Sequence, residues 1–101
     1  MKNESLTHKI IGCAYKVFNE LGFGFLESVY KNAMLIELGN NNLKAEAEKP
    51  LQVFYDSQAV GDFYVDLFVE DEIVVELKSV ENLSKAHACP VQFTLVTAQR
   101  I

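Results

Sequence analysis

Asp66, Glu76 and Lys78 are the residues whose types and spacing suit chemistry, and the apolar residues around them decide whether they meet. In 62–69, Phe63, Val65, Leu67 and Val69 alternate with Asp62, Tyr64, Asp66 and Phe68, the period of a strand with one apolar side. After the acidic turn Glu70-Asp71-Glu72, Ile73, Val75 and Leu77 form a second apolar set and leave Val74, Glu76 and Lys78 opposite. Both apolar sets share one side of an antiparallel hairpin only if Val69 pairs with Ile73 or at an equivalent even offset, because a one-residue slip buries the charges. That register predicts Asp66 across from Glu76 and Tyr64 across from Lys78. Carboxylates opposed at about 4.5–5.5 Å repel. A raised pKa on one of them, a basic neighbour such as Lys78, or a divalent cation would compensate. The cation is the option with chemical consequence, since Mg²⁺ is held by one or two carboxylates and commonly shares its shell with phosphate oxygens.

The elements that must position this hairpin are legible on either side of it. Leu6, Ile10, Cys13, Ala14, Val17, Phe18 and Leu21 recur at steps of three and four, predicting an amphipathic helix stopped by Gly22. A second stripe, Leu26, Val29, Tyr30, Ala33, Met34 and Leu38, predicts another helix ended by Gly39-Asn40-Asn41-Asn42. Tyr15, Phe18 and Met34 read as core. Leu43, Ala45 and Ala47, then Leu51, Val53 and Tyr55 beyond Pro50, predict an interrupted edge strand, followed by a turn over Asp56–Gly61. Near the end of the chain, Val91, Phe93 and Leu95 alternate with Gln92 and Thr94, predicting a strand whose partner the sequence does not name.

A chain of 101 residues, 50% hydrophobic and 23% charged, suits one domain over 1–101 and is too apolar for disorder. No stretch approaches the roughly 18 apolar residues of a membrane helix, and Met1 to Ser5 open no apolar leader. Cys13 and Cys89 sit among apolar or small residues, as buried free thiols of a cytoplasmic protein rather than a disulfide. The formal charge of −5 repels a polyphosphate at long range, so any phosphate site must rest on cations or local basic groups. Several groups read as ordinary: Asp62, Glu70, Asp71, Glu72 and Glu81 as turn and solvent charges, and His8 and His87 as histidines without ligand spacing. Gly22-Phe23-Gly24 lacks the ending and the preceding strand of a phosphate loop. Glu27, taken singly, is a helix-start acid able to pair with Lys31.

The segment Gly24-Phe25-Leu26-Glu27-Ser28-Val29-Tyr30 resembles the signature of the GxxExxY protein family, a branch of the PD-(D/E)XK nuclease superfamily. Asn19-Glu20-Leu21-Gly22, Asp66-Leu67-Phe68-Val69 and Val75-Glu76-Leu77-Lys78 follow in the family's order, over about residues 5 to 88. The resemblance implies an α/β fold, the restriction-endonuclease-like core: two N-terminal helices, a three-stranded antiparallel meander and a C-terminal helix and strand, in a mixed sheet flanked by helices. It implies a catalytic set of Glu27, Asp66, Glu76 and Lys78, with Mg²⁺, or Mn²⁺ in its place, on Asp66, Glu76 and Glu27. Tyr30, one turn after Glu27, is implied to orient that carboxylate or a phosphate. The implied activity is hydrolysis of phosphodiester bonds, in DNA more than RNA, with nucleic acid as partner and no membrane.

Where relatives continue with a His-x-x-Gln helix, Asn-Tyr-Leu and a last apolar strand, this chain has His87-Ala88-Cys89-Pro90, with Gln92 two places late. From about residue 89 to 101 the C-terminal region is therefore expected to be incomplete or altered, leaving an uncovered sheet edge that invites a homodimer. The acidic balance and this tail favour a rival reading, a catalytically inactive interaction or dimerisation module on the same fold. A metal-binding or regulatory protein without turnover is a third reading.

Overall fold

In a computed structural model of the chain, which describes residues 4–79 and 91–97, helix α1 (Glu4–Leu21) and helix α2 (Glu27–Asn40) precede a four-stranded sheet. Strands β1 (Ala45–Tyr55), β2 (Gln58–Val69), β3 (Ile73–Ser79) and β4 (Val91–Thr97) lie in that order, each antiparallel to its neighbour. The mixed sheet implied by the resemblance is thus antiparallel throughout the described residues. The terminal strand finds its partner in β3, with Glu76 facing Thr94.

The expected stripe of α1 is buried at Leu6, Ile10, Cys13, Ala14, Val17 and Phe18. Tyr15 lies outside that stripe and is 49% exposed, which removes it from the core. In α2 only the four-residue step Tyr30, Met34 and Leu38 is fully buried; Leu26 caps the helix from outside and both it and Val29 are exposed. The Asn run closes α2 with a Schellman turn. Asn42 adopts a φ of 61°, its N–H bonds Gly39 O at 3.0 Å, and Leu43 N–H bonds Leu38 O at 3.0 Å. Leu43 packs on the core that buries Leu38.

That core joins the helices to Leu67, Val69, Ile73, Val75 and Leu77. Val69 pairs with Ile73 across a three-residue loop, as the apolar alternation requires. Glu70 and Asp71, both at φ 54°, form the turn, which Lys44 secures through its N–H to Glu70 Oε2 (2.6 Å) and its Nζ to Asp71 Oδ2 (3.1 Å). The β1–β2 turn is shorter than the expected Asp56–Gly61. Asp56 and Ser57 alone make it, at φ 51° and 60°, so Gln58 to Gly61 belong to the strand. Gly61 faces Val53 while Ala59 faces Phe54, which leaves Val60 bulged.

Alternation along β2 fails near Asp66. Leu67 and Val69 face the helices, whereas Val65 joins Phe68 and Val74 in a separate cluster. The cause is local: Glu48, facing Asp66 across the β1–β2 ladder, has a φ of 54° and breaks the pairing there. Pairing of β2 with β3 also ends at Leu67↔Val75, so Asp66 and Glu76 are not the directly opposed rung expected, and Tyr64 is not opposite Lys78 but is exposed on a two-stranded arm.

Candidate functional site

Asp66 sits where β2 parts from β3. Had the ladder continued, Leu77 N–H would have met a β2 backbone carbonyl; instead it donates to Asp66 Oδ2 at 2.8 Å. One carboxylate oxygen thus replaces a ladder acceptor, fixing the side chain against β3. Glu76 lies beside it, on the strand whose register the apolar set dictated. Its carboxyl group is pushed above the ordinary 4.5, chiefly by burial, then by the charge of Asp66 and by hydrogen bonding between the two side chains. The Asp66 backbone hydrogen bond pulls the other way. Glu76 Oε1 is buried and has no hydrogen-bond partner among the described residues. A buried acceptor without a donor is costly, and a cation or ordered water would relieve it.

Glu76, Leu77 and Lys78 line a cleft of about 340 Å³ with Glu27 and Thr94. Three elements contribute: α2 begins at Glu27, β3 supplies Glu76, Leu77 and Lys78, and β4 brings Thr94 opposite Glu76. Lys78 lines the cleft and is exposed. The expected residues therefore gather in part. Asp66 and Glu76 adjoin each other, and Glu76, Lys78 and Glu27 share one cleft. Among the described residues, however, no group of three or more His, Cys, Asp or Glu side chains stands close enough together to hold a metal ion. The two-carboxylate donor set fits a hard divalent cation that keeps several waters, and the orphaned Glu76 oxygen has the chemistry of a ligand.

Tyr30 departs from its expected role. The side chain is buried, its hydroxyl donates to Gly22 O and accepts from Phe25 N–H at 3.4 Å, and Phe18 and Phe25 meet its ring edge-on at 5.9 and 6.1 Å. Its hydrogen bonds therefore fasten the loop leading into Glu27. Lys31, expected to pair with Glu27, instead bonds Glu48 Oε1 at 2.7 Å. Cys13 is buried and free, its thiol pushed up by burial and then by Glu37, while Cys89, His87 and Pro90 lie outside the described residues. Thr94 escaped the sequence reading because nothing there named the partner of its strand; the alternation of Val91, Phe93 and Leu95 was the available signal.

Two helices against an antiparallel sheet, with paired acids and a lysine two residues on at a strand's end, define a nuclease-like α/β domain. The family model of the PD-(D/E)XK nuclease superfamily matches residues 4–99, and the chain belongs to that superfamily. No curated protein and no solved structure matches the chain. Among the described residues, no helix is long and apolar enough to cross a membrane.

Proposed function

We propose that this chain is a Mg²⁺-dependent nuclease of the GxxExxY kind, hydrolysing phosphodiester bonds in DNA before RNA. The observation that carries the reading is the Asp66–Glu76 pair with its orphaned buried oxygen, Glu76 lining the same cleft as Lys78. Asp66 and Glu76 would hold Mg²⁺, or Mn²⁺ in its place, with Glu27 adding a carboxylate from the start of α2. Such a cation supplies Lewis acidity, offsetting phosphate charge and easing ionisation of the attacking water. Asp66 keeps its orientation through Leu77 N–H, which holds its carboxylate beside Glu76. Glu76, whose burial disfavours its charge, gains most from a cation. Lys78 donates to phosphate oxygens and stabilises the negative charge that builds on phosphorus. The superfamily supports a nucleic-acid partner, and the Gly24–Tyr30 signature supports the finer family. The free thiol of Cys13 suits the cytoplasm.

The test is cleavage of supercoiled plasmid, single-stranded DNA and RNA with Mg²⁺ or Mn²⁺, using the wild type beside Asp66→Ala, Glu76→Ala and Lys78→Ala. Metal-dependent nicking that falls at least about 100-fold in each variant is expected. Equal activity in all four proteins contradicts the site. A second reading, an inactive interaction module that forms a homodimer, is favoured by the net charge of −5 and by the exposed Phe54, Tyr55, Val60, Phe63 and Tyr64 of the arm. It predicts no nicking by folded wild type, together with self-association.

A further inference from the structure

Lys31 and Glu48 form an ion pair at a place where the backbone is strained. The other non-glycine residues at positive φ among those described, Asn42, Asp56, Ser57, Glu70 and Asp71, all lie in turns; Glu48, at φ 54°, lies inside a strand. That conformation is unfavourable for a residue with a Cβ and persists where surroundings enforce it. Glu48 faces Asp66 at the missing rung of the β1–β2 ladder. Its Oε1 accepts a 2.7 Å bond from Lys31 Nζ, whose side chain is only 16% exposed. Lys31 in turn lies one helical turn after Glu27, on the same face of α2. This ion pair thus adds a polar tie, beside the apolar packing of Tyr30, Met34 and Leu38, between the helix bearing Glu27 and the strand that faces Asp66.

We propose that the Lys31–Glu48 ion pair is a positioning clasp that sets the approach of Glu27 to the Asp66–Glu76 cation site. The proposal rests on the cation reading above. The clasp acts through Glu27, one helical turn before Lys31 on the same helix. An ion pair with one partner in solvent, as Glu48 is, normally contributes little to stability, so the clasp's effect is sought in cation affinity rather than in folding.

Mn²⁺ affinity, followed by the electron paramagnetic resonance of the free ion, separates the possibilities without relying on turnover. Lys31→Met and Glu48→Gln are each expected to weaken Mn²⁺ binding on the order of threefold to tenfold, with thermal midpoints near that of wild type, and Lys31→Arg to restore it. The direction is diagnostic. Removing a positive charge near a cation site would by field alone tighten binding, so weakening in Lys31→Met requires repositioning. In a Glu27→Gln background, removing the clasp is expected to cost nothing further. Unchanged or tighter binding in Lys31→Met, or an undiminished loss in the Glu27→Gln background, overturns the clasp while leaving the cation site standing if Asp66→Ala abolishes binding. Wild type that binds no Mn²⁺ overturns both. Should Lys31→Met fail to fold, Lys31→Gln carries the same comparison, whereas Glu48→Gln removes a negative charge and would weaken binding by field alone.

Discussion

Glu76 carries the electrostatic cost of the site. Its carboxyl group is pushed above 4.5 in the fold, so between 4.5 and that raised value the folded chain binds more protons than the unfolded one. Stability from this group is fully present below the unfolded value and is lost as pH rises through the folded one. In metal-free buffer, thermal midpoints of wild type are therefore expected to fall as pH rises from 4.5, and those of Glu76→Gln to fall less, leaving the variant the more stable protein at pH 7. Saturating Mg²⁺ should stabilise wild type but not Glu76→Gln, narrowing or reversing the difference. A Glu76→Gln midpoint below wild type at pH 7 without metal would show that burial and Asp66 do not burden this residue. Tyr30 makes a separate claim at the same scale. Tyr30→Phe removes the hydroxyl that ties Gly22 to Phe25, and a loss of about 1 kcal/mol by denaturant unfolding is expected; an unchanged midpoint would release the loop from that tie.

At the level of elements, the β2–β3 hairpin is the part the apolar alternation determined. Leu67, Val69, Ile73 and Val75 restrict the register to Val69 with Ile73 or an even offset from it, and the observed pairing is Val69 with Ile73. Leu67→Ala is expected to cost about 3 kcal/mol in equilibrium unfolding, as for a fully buried leucine facing helices; a loss below about 1 kcal/mol would place Leu67 outside the core. The same alternation misplaced Val65, because a period of two has no term for the break at Glu48, a residue whose positive φ nothing in its side chain announces. The helices were legible from their stripes, yet Tyr15 was misread as core, since an aromatic ring on the flank of a stripe has the same composition signal as one inside it. The register brought Asp66 close to Glu76, but not as the directly opposed ladder pair it predicts, because the ladder stops at Leu67↔Val75 and the two meet through their side chains. The Leu77 N–H bond that holds Asp66, the strand partner that brings Thr94, and the clasp between Lys31 and Glu48 did not follow from the register, because each depends on elements far apart in sequence.

The whole molecule divides between a covered and an uncovered half. Helices pack on the sheet where all of β2's C-terminal residues have partners on both sides, while Gln58 to Tyr64 are exposed and pair, among the described residues, with β1 alone. An isolated two-stranded ribbon is marginally stable in water. Hydrogen exchange under native conditions is accordingly expected to be fast for amides of 58–64 and slow for 67–69 and 73–77, by at least about 100-fold. Uniform protection across β2 would mean that the arm is covered in solution, as the self-associating reading requires.

The most direct test of the paired carboxylates as a cation site is a ¹³C NMR titration of the Glu76 side-chain carboxyl group, without metal and with saturating Mg²⁺. The expected result is a midpoint above 4.5 without metal that moves down when Mg²⁺ is present. A midpoint at the ordinary value that Mg²⁺ leaves in place would contradict the claim that Asp66 and Glu76 together await a cation.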